Sequence, residues 1–151
     1  MEVTTFAKEL ERTGRIVYTN KGFSMRPLLR EDRDLMIIER VNTLKKYDAV
    51  LFERPGIQGR GQYVLHRILK VNPDGTYWIV GDNCVSGEIV KRENIMGILT
   101  GVVRNKRTIH VTDFWYRVYV HLWCDVYPVR FFLLHCRNHL ARLKRKILKK
   151  R

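Results

Sequence analysis

Acidic side chains are scarce in this sequence, and unevenly so. Lys and Arg number 29 against 15 Asp and Glu, a formal +14 over 151 residues. From Arg137 to Arg151 there are eight basic residues and no acidic one, which leaves 21 basic against 15 acidic residues before them. The body is a mildly basic domain, and the tail is a separate electrostatic element. Cysteine is also sparse: Cys84, Cys124 and Cys136 are an odd number with no C-x-x-C pair. That argues against a disulfide framework and a structural zinc site, and it fits a reducing compartment; no metal or cofactor is expected. No stretch of about 18 residues lacks charge, which excludes a polytopic membrane protein. The N-terminal MEVTTFAKELERTG has neither a positive n-region nor an apolar h-region, so a cytoplasmic chain without a secretory signal or transmembrane anchor is expected. With 45% hydrophobic and 11% aromatic residues, the chain is long and apolar enough for one packed domain and too apolar for global disorder.

Val3, Phe6 and Leu10 recur at helical spacing before Gly14, which predicts a helix over 3–13. From Ile16 to Val111 the texture is that of β-structure, with strands expected at 16–20, 35–39, 48–53, 62–71, 76–80 and 97–103, the last running on toward 107–111. Pro55-Gly56 with Gly59 and Gly61, Asn72-Pro73-Asp74-Gly75 and Gly81-Asp82-Asn83 supply the turns. Many short strands at this spacing predict a mainly β domain over 1–111, a small antiparallel sheet or partly open barrel. Residues 112–151 read as a basic amphipathic helical tail. Trp115, Val118, Leu122, Val126, Val129, Leu133, Cys136, Leu140, Leu143 and Ile147 step by three or four, Thr112 or Asp113 offers a cap, and Pro128 divides or kinks the run. Arg117, His121, Arg130, Arg137, Arg142 and Lys146 take the opposite face. Two readings follow: the apolar face packs on the sheet with its basic face solvated, or the tail lies on an anionic membrane surface.

Three segments carry chemistry-bearing residues. In Gly22-Phe23-Ser24-Met25-Arg26-Pro27-Leu28, a serine lies between a glycine-permitted bend and a proline-stiffened stretch, which fixes its direction as a nucleophile requires; a plain turn serine has the same pattern. In Tyr63-Val64-Leu65-His66-Arg67-Ile68, a histidine sits in an apolar strand, held by packing and largely neutral at pH 7; a packed core histidine would look alike. Ile79-Val80-Gly81-Asp82-Asn83-Cys84 ends a strand in an Asx turn.

Taken in order, G-x-S-M-x-P, the strand Tyr47-Asp48-Ala49-Val50-Leu51-Phe52, His-Arg-Ile and Gly-Asp-Asn resemble the boxes of type I signal peptidases over roughly residues 18–103. The resemblance is to the Ser-His branch, in a superfamily that also holds the self-cleaving SOS-type repressors. It implies Ser24 as nucleophile and His66 where other members have a catalytic lysine. Asp82, with Asn83, falls on the box that supports the site's geometry, and Pro27 on the nucleophile box. Glu88 stands where the branch carries a second aspartate, which leaves triad and dyad both open. Gly22 replaces a serine that helps bind the oxyanion in many bacterial members, so an oxyanion hole here would rest on backbone N–H groups, that of Ser24 among them. The family's N-terminal anchor has no counterpart in the 23 residues before Ser24.

The function expected is a serine endopeptidase acting on a precursor, signal or leader peptide through an acyl-enzyme. The alternative is a catalytically silent adaptor that keeps the fold for peptide or membrane binding. Nucleic acid is not an expected partner, because no helix-turn-helix, zinc pattern or aromatic-basic strand motif accompanies the charge.

Overall fold

The computed structural model describes residues 6–19, 21–54 and 62–148. Val3, Asn20, the Pro55-Gly56 and Gly59/Gly61 turn and the last three residues lie outside the described residues. The elements in chain order are α1 (Phe6–Thr13), β1 (Arg15–Thr19), β2 (Leu35–Glu39), β3 (Ala49–Arg54), β4 (Gln62–Val71), β5 (Tyr77–Val80), β6 (Gly87–Val90), β7 (Ile95–Arg104), β8 (Arg107–His110), α2 (Phe114–Cys124) and α3 (Tyr127–Leu148). The strands form one antiparallel sheet in the order β1-β2-β7-β3-β4-β5-β6, with β8 added on β7. The sheet is open, and the fold is mainly β as expected.

Local chemistry explains most boundaries. Gly14 ends α1 at φ +72° and donates its N–H to the Leu10 carbonyl at 2.8 Å, a C-terminal cap that a side chain would strain. The Asn72–Thr76 turn closes the β4–β5 hairpin through an Asn72 N–H to Thr76 carbonyl bond of 2.8 Å. Two features of the sheet differ from expectation. The run toward 107–111 is not continuous with β7, because Asn105 and Lys106 both take positive φ and turn the chain into a tight β7–β8 hairpin. A further strand, β6, lies in Gly-Glu-Ile-Val, too short and too weakly alternating to read as one. It pairs with β5 from Tyr77↔Val90 to Val80↔Gly87.

The core lies on both faces of the sheet. Leu10, Ile16, Met25, Leu29, Met36, Ile38, Leu51 and Leu99 belong to one buried cluster, and Val50, Phe52, Ile68, Ile79, Val90 and Ile95 to another. Central β3 is therefore buried on both sides along Ala49–Phe52.

The tail forms two helices, with Pro128 in the first turn of α3, where proline's missing N–H costs nothing. The expectation that its apolar face packs on the sheet is contradicted. Trp115 is 77% exposed and Leu122 68%, whereas Tyr116, Val120 and Cys124 are the buried residues of α2. In α3 the residues turned inward are Arg130, from the face expected in solvent, and Leu134. Polar anchoring decides the orientation of α2. The Tyr119 hydroxyl donates to Asp82 Oδ2 at 2.7 Å, Trp123 Nε1 to the Asp82 carbonyl at 2.8 Å, and Arg67 Nη1 to the Tyr116 hydroxyl at 3.2 Å. Buried polar groups demand partners, and here they outweigh the apolar periodicity.

Candidate active site

The Ser24 segment is an irregular loop fixed at several points. Met25 and Leu29 are fully buried, so the residues around Ser24 are plugged into the core. Gly22 takes φ +95° and its N–H donates to Glu31 Oε1 at 3.0 Å. Downstream, buried Asp34 accepts the Arg30 N–H at 2.9 Å and Arg104 Nε at 2.9 Å, while Arg104 Nη2 donates to the Leu28 carbonyl at 2.6 Å. The loop is thereby tied to β7. Ser24 itself is half-buried. The Arg26–Pro27 peptide bond is cis.

The Gly81-Asp82-Asn83 turn closes on this loop. The Asn83 N–H donates to the Ser24 carbonyl at 2.7 Å and its Nδ2 to the Phe23 carbonyl at 3.1 Å, so one side chain and its own backbone hold both carbonyls at the serine. Gly81 has no room for a side chain: a Cβ there would lie 2.7 Å from the Ser24 carbonyl oxygen, 2.9 Å from His66 Nε2 and 2.6 Å from Cys84 Sγ. The serine backbone, the histidine ring and the Cys84 thiol thus converge on one glycine. The contact between the two residues runs through the Ser24 backbone, and no hydrogen bond joins the Ser24 hydroxyl to the His66 ring.

His66 comes from the buried middle of β4 and is 7% exposed. Burial pushes its pKa below the ordinary 6.5; Glu88 and Asp82 oppose that shift, and Arg54 adds to it. The ring is therefore neutral at pH 7, as a general base must be. Its Nδ1 lies 3.5 Å from Glu88 Oε1 and is buried with no conventional hydrogen-bond partner. At that separation Glu88 acts on the ring chiefly as a charge. Its carboxylate is held by Arg54, which binds both oxygens, with Nε at 2.9 Å from Oε2.

Asp82 is placed differently from Glu88. Its carboxylate is fully buried, takes a bidentate pair from Arg67 at 2.9 and 2.8 Å, and accepts the Tyr119 hydroxyl. Asp82 and Pro27 do not line the cleft that holds Ser24, His66, Gly22 and Glu88; Asn83 braces the serine loop from behind. Of the residues expected at the site, the structure therefore gathers Ser24, His66, Glu88 and Gly22 around one cavity of about 810 Å³ and gives Asp82 and Asn83 supporting positions. A second cavity of about 760 Å³, between residues 41–49 and α2, contains none of them.

Sequence reasoning missed Arg54 and Cys84 in the cleft. Nothing in their local patterns marks them, since their placement depends on which strands become neighbours. Arg67 carried a usable signal: a charge in an apolar strand, next to His66 and so on the other face, needs a buried counter-charge. Among the described residues no group of three or more His, Cys, Asp or Glu side chains converges on a metal-sized site. No protein-family model, no curated protein and no solved structure matches the chain, so the cleft's chemistry rests on its own residues.

Proposed function

We propose that the protein is a serine endopeptidase that trims a precursor, signal or leader peptide, with Ser24 as nucleophile and His66 as general base. One observation carries this reading: a braced, half-buried serine and a neutral, nearly inaccessible histidine both pack against Gly81 and both line one peptide-sized cleft. Ser24 Oγ attacks the peptide carbonyl carbon as His66 Nε2 takes its proton. The tetrahedral intermediate collapses, and the imidazolium gives that proton to the departing amine. Water, deprotonated by the same nitrogen, then hydrolyses the acyl-enzyme and restores the serine. The Gly22 amide is committed to Glu31, so the Ser24 N–H is the candidate oxyanion donor. The peptide would lie extended beside the Gln62–His66 stretch of β4 that lines the cleft. Three free cysteines fit a reducing, cytoplasmic setting. The basic charge of the C-terminal helices supports a peripheral position at a membrane.

A fluorophosphonate probe tests the reading directly. Purified protein is expected to gain one covalent adduct, mapped by mass spectrometry to Ser24 and absent from Ser24→Ala. A folded protein that the probe leaves unmodified at Ser24 overturns the peptidase reading and leaves the silent adaptor.

The pH profile tests the base and its neighbours together. Cleavage should rise with pH through a limb below 6.5, because burial lowers the pKa of His66 and its protonated form cannot accept the serine proton. Glu88 favours the imidazolium and Arg54 disfavours it. Glu88→Gln is therefore expected to move the acid limb of kcat/KM further down, and Arg54→Met to move it up. Shifts of the same sign in both variants would remove Glu88 and Arg54 from the account.

A further inference from the structure

We infer that α3 is a docking face for an anionic lipid bilayer, and that the surface is a stripe the protein body leaves uncovered. Helix α3 has two separate faces. Arg130 and Leu134 turn toward the body and are 3% and 6% exposed. Val129, Phe132, Leu133, Leu140 and Ile147, spaced three, four and seven residues apart, lie along another face and are between 59% and 66% exposed. The 22 residues of the helix span about 33 Å, so the stripe is long and narrow. An exposed apolar run of this extent marks an interaction surface.

The charge beside it selects the partner. After Asp125 the sequence holds no acidic residue, and Arg142, Lys144 and Arg145 of α3 are exposed, while Arg137 donates to Asn83 Oδ1 of the body at 3.1 Å. Lys144 lies four residues after Leu140 and three before Ile147 and so flanks the stripe. A bilayer rich in anionic headgroups takes both features at once: apolar side chains enter the acyl boundary while Lys and Arg remain among the phosphates. A second copy of the chain would bring two unneutralised cationic flanks together, which disfavours dimerisation through this stripe. The helix lies on the surface, since no helix of the described residues is long and apolar enough to cross a membrane. The apolar stripe and the basic residues are two signals, and stable surface anchoring takes two where one gives marginal, reversible binding.

Of the aromatic residues of α2, Phe114 and Trp115 are exposed and the other three are not free. Tyr116, Tyr119 and Trp123 are taken up by contacts with Arg67 and Asp82 and are not available to lipid. The stripe on α3 is mainly aliphatic, with Phe132 as its aromatic member.

Flotation of the full chain with vesicles tests this without any peptide substrate, so its outcome is independent of the peptidase reading. The probes are phosphatidylcholine vesicles and vesicles with about one-third phosphatidylglycerol, at low and high salt. The unsubstituted protein should float with the anionic vesicles and be released by salt. Leu133→Gln/Leu140→Gln and Lys144→Glu/Arg145→Glu should each lower retention about tenfold or more. All four residues are exposed, so circular dichroism should show both variants folded. Absence of retention at low salt, or equal retention of the apolar double variant, overturns the proposal. So does a dimer in solution that Leu133→Gln/Leu140→Gln dissociates, because a second copy would then cover the stripe.

Discussion

Alanine in place of Ser24, or in place of His66, is expected to slow peptide cleavage by about 10³-fold or more while the fold persists. The two losses should not multiply. Nucleophile and base act in the same step, so once Oγ is gone there is no proton for His66 to take, and the double variant should resemble either single one. Ser24 lies on a loop held by Met25, Leu29, Asn83 and Arg104, none of which depends on its hydroxyl, so Ser24→Ala leaves those anchors intact. His66 is buried in β4, and its removal opens a cavity; His66→Gln retains most of the volume and separates lost packing from lost chemistry. Steady-state cleavage of a peptide substrate, with thermal melts of each variant, reads both quantities. Near-parental cleavage by any of these folded variants sinks the mechanism.

Breaking the Arg67–Asp82 pair is expected to cost more stability than any other single ionic contact among the described residues. Both side chains are almost completely buried, and the pair is bidentate. Burial opposes the charge on Arg67, yet the Asp82 carboxylate more than offsets this, so the guanidinium pKa stands well above its ordinary value. Asp82→Ala leaves that cation alone in the interior, at a cost of about 3–5 kcal/mol in urea unfolding. It also deprives the Tyr119 hydroxyl of its acceptor. The Trp123 bond runs to the Asp82 backbone and is spared. Arg67→Met/Asp82→Leu removes both charges and should recover most of the loss, because similar apolar volume replaces the pair and no ion is stranded. If Asp82→Ala unfolds within about 1 kcal/mol of the unsubstituted protein, the pair does not have this role. Measured beside the Ser24 variants, Asp82→Ala also separates support from chemistry. At pH values where His66 is neutral in both proteins, its activity should fall with the folded fraction, since its carboxylate binds Arg67 and Tyr119 and does not line the cleft.

Much of this molecule is legible in its sequence. β2 and β4 coincide with runs of apolar and β-branched residues, and the turns between strands fall on Asn, Asp, Pro and Gly, because local conformational preference and two-residue periodicity suffice to specify a strand. The resemblance of their boxes to those of the Ser-His signal peptidases singles out Ser24 and His66, and the fold brings both to one cleft. The tail shows where local pattern stops being sufficient. Its three- and four-residue periodicity specifies two helices, and it marks an apolar stripe that the body leaves exposed. A helix's apolar face follows from its sequence, but whether that face docks depends on what the rest of the chain offers. Here buried Arg67 and Asp82 demanded polar partners, and Tyr116, Tyr119 and Trp123, off the apolar stripe, could reach them. Tertiary structure alone likewise chose Arg54 as the partner of Glu88, 34 residues away across strands that meet only in the folded sheet. Periodicity encodes what each segment can bury; the partners of buried charges are settled by which segments become neighbours.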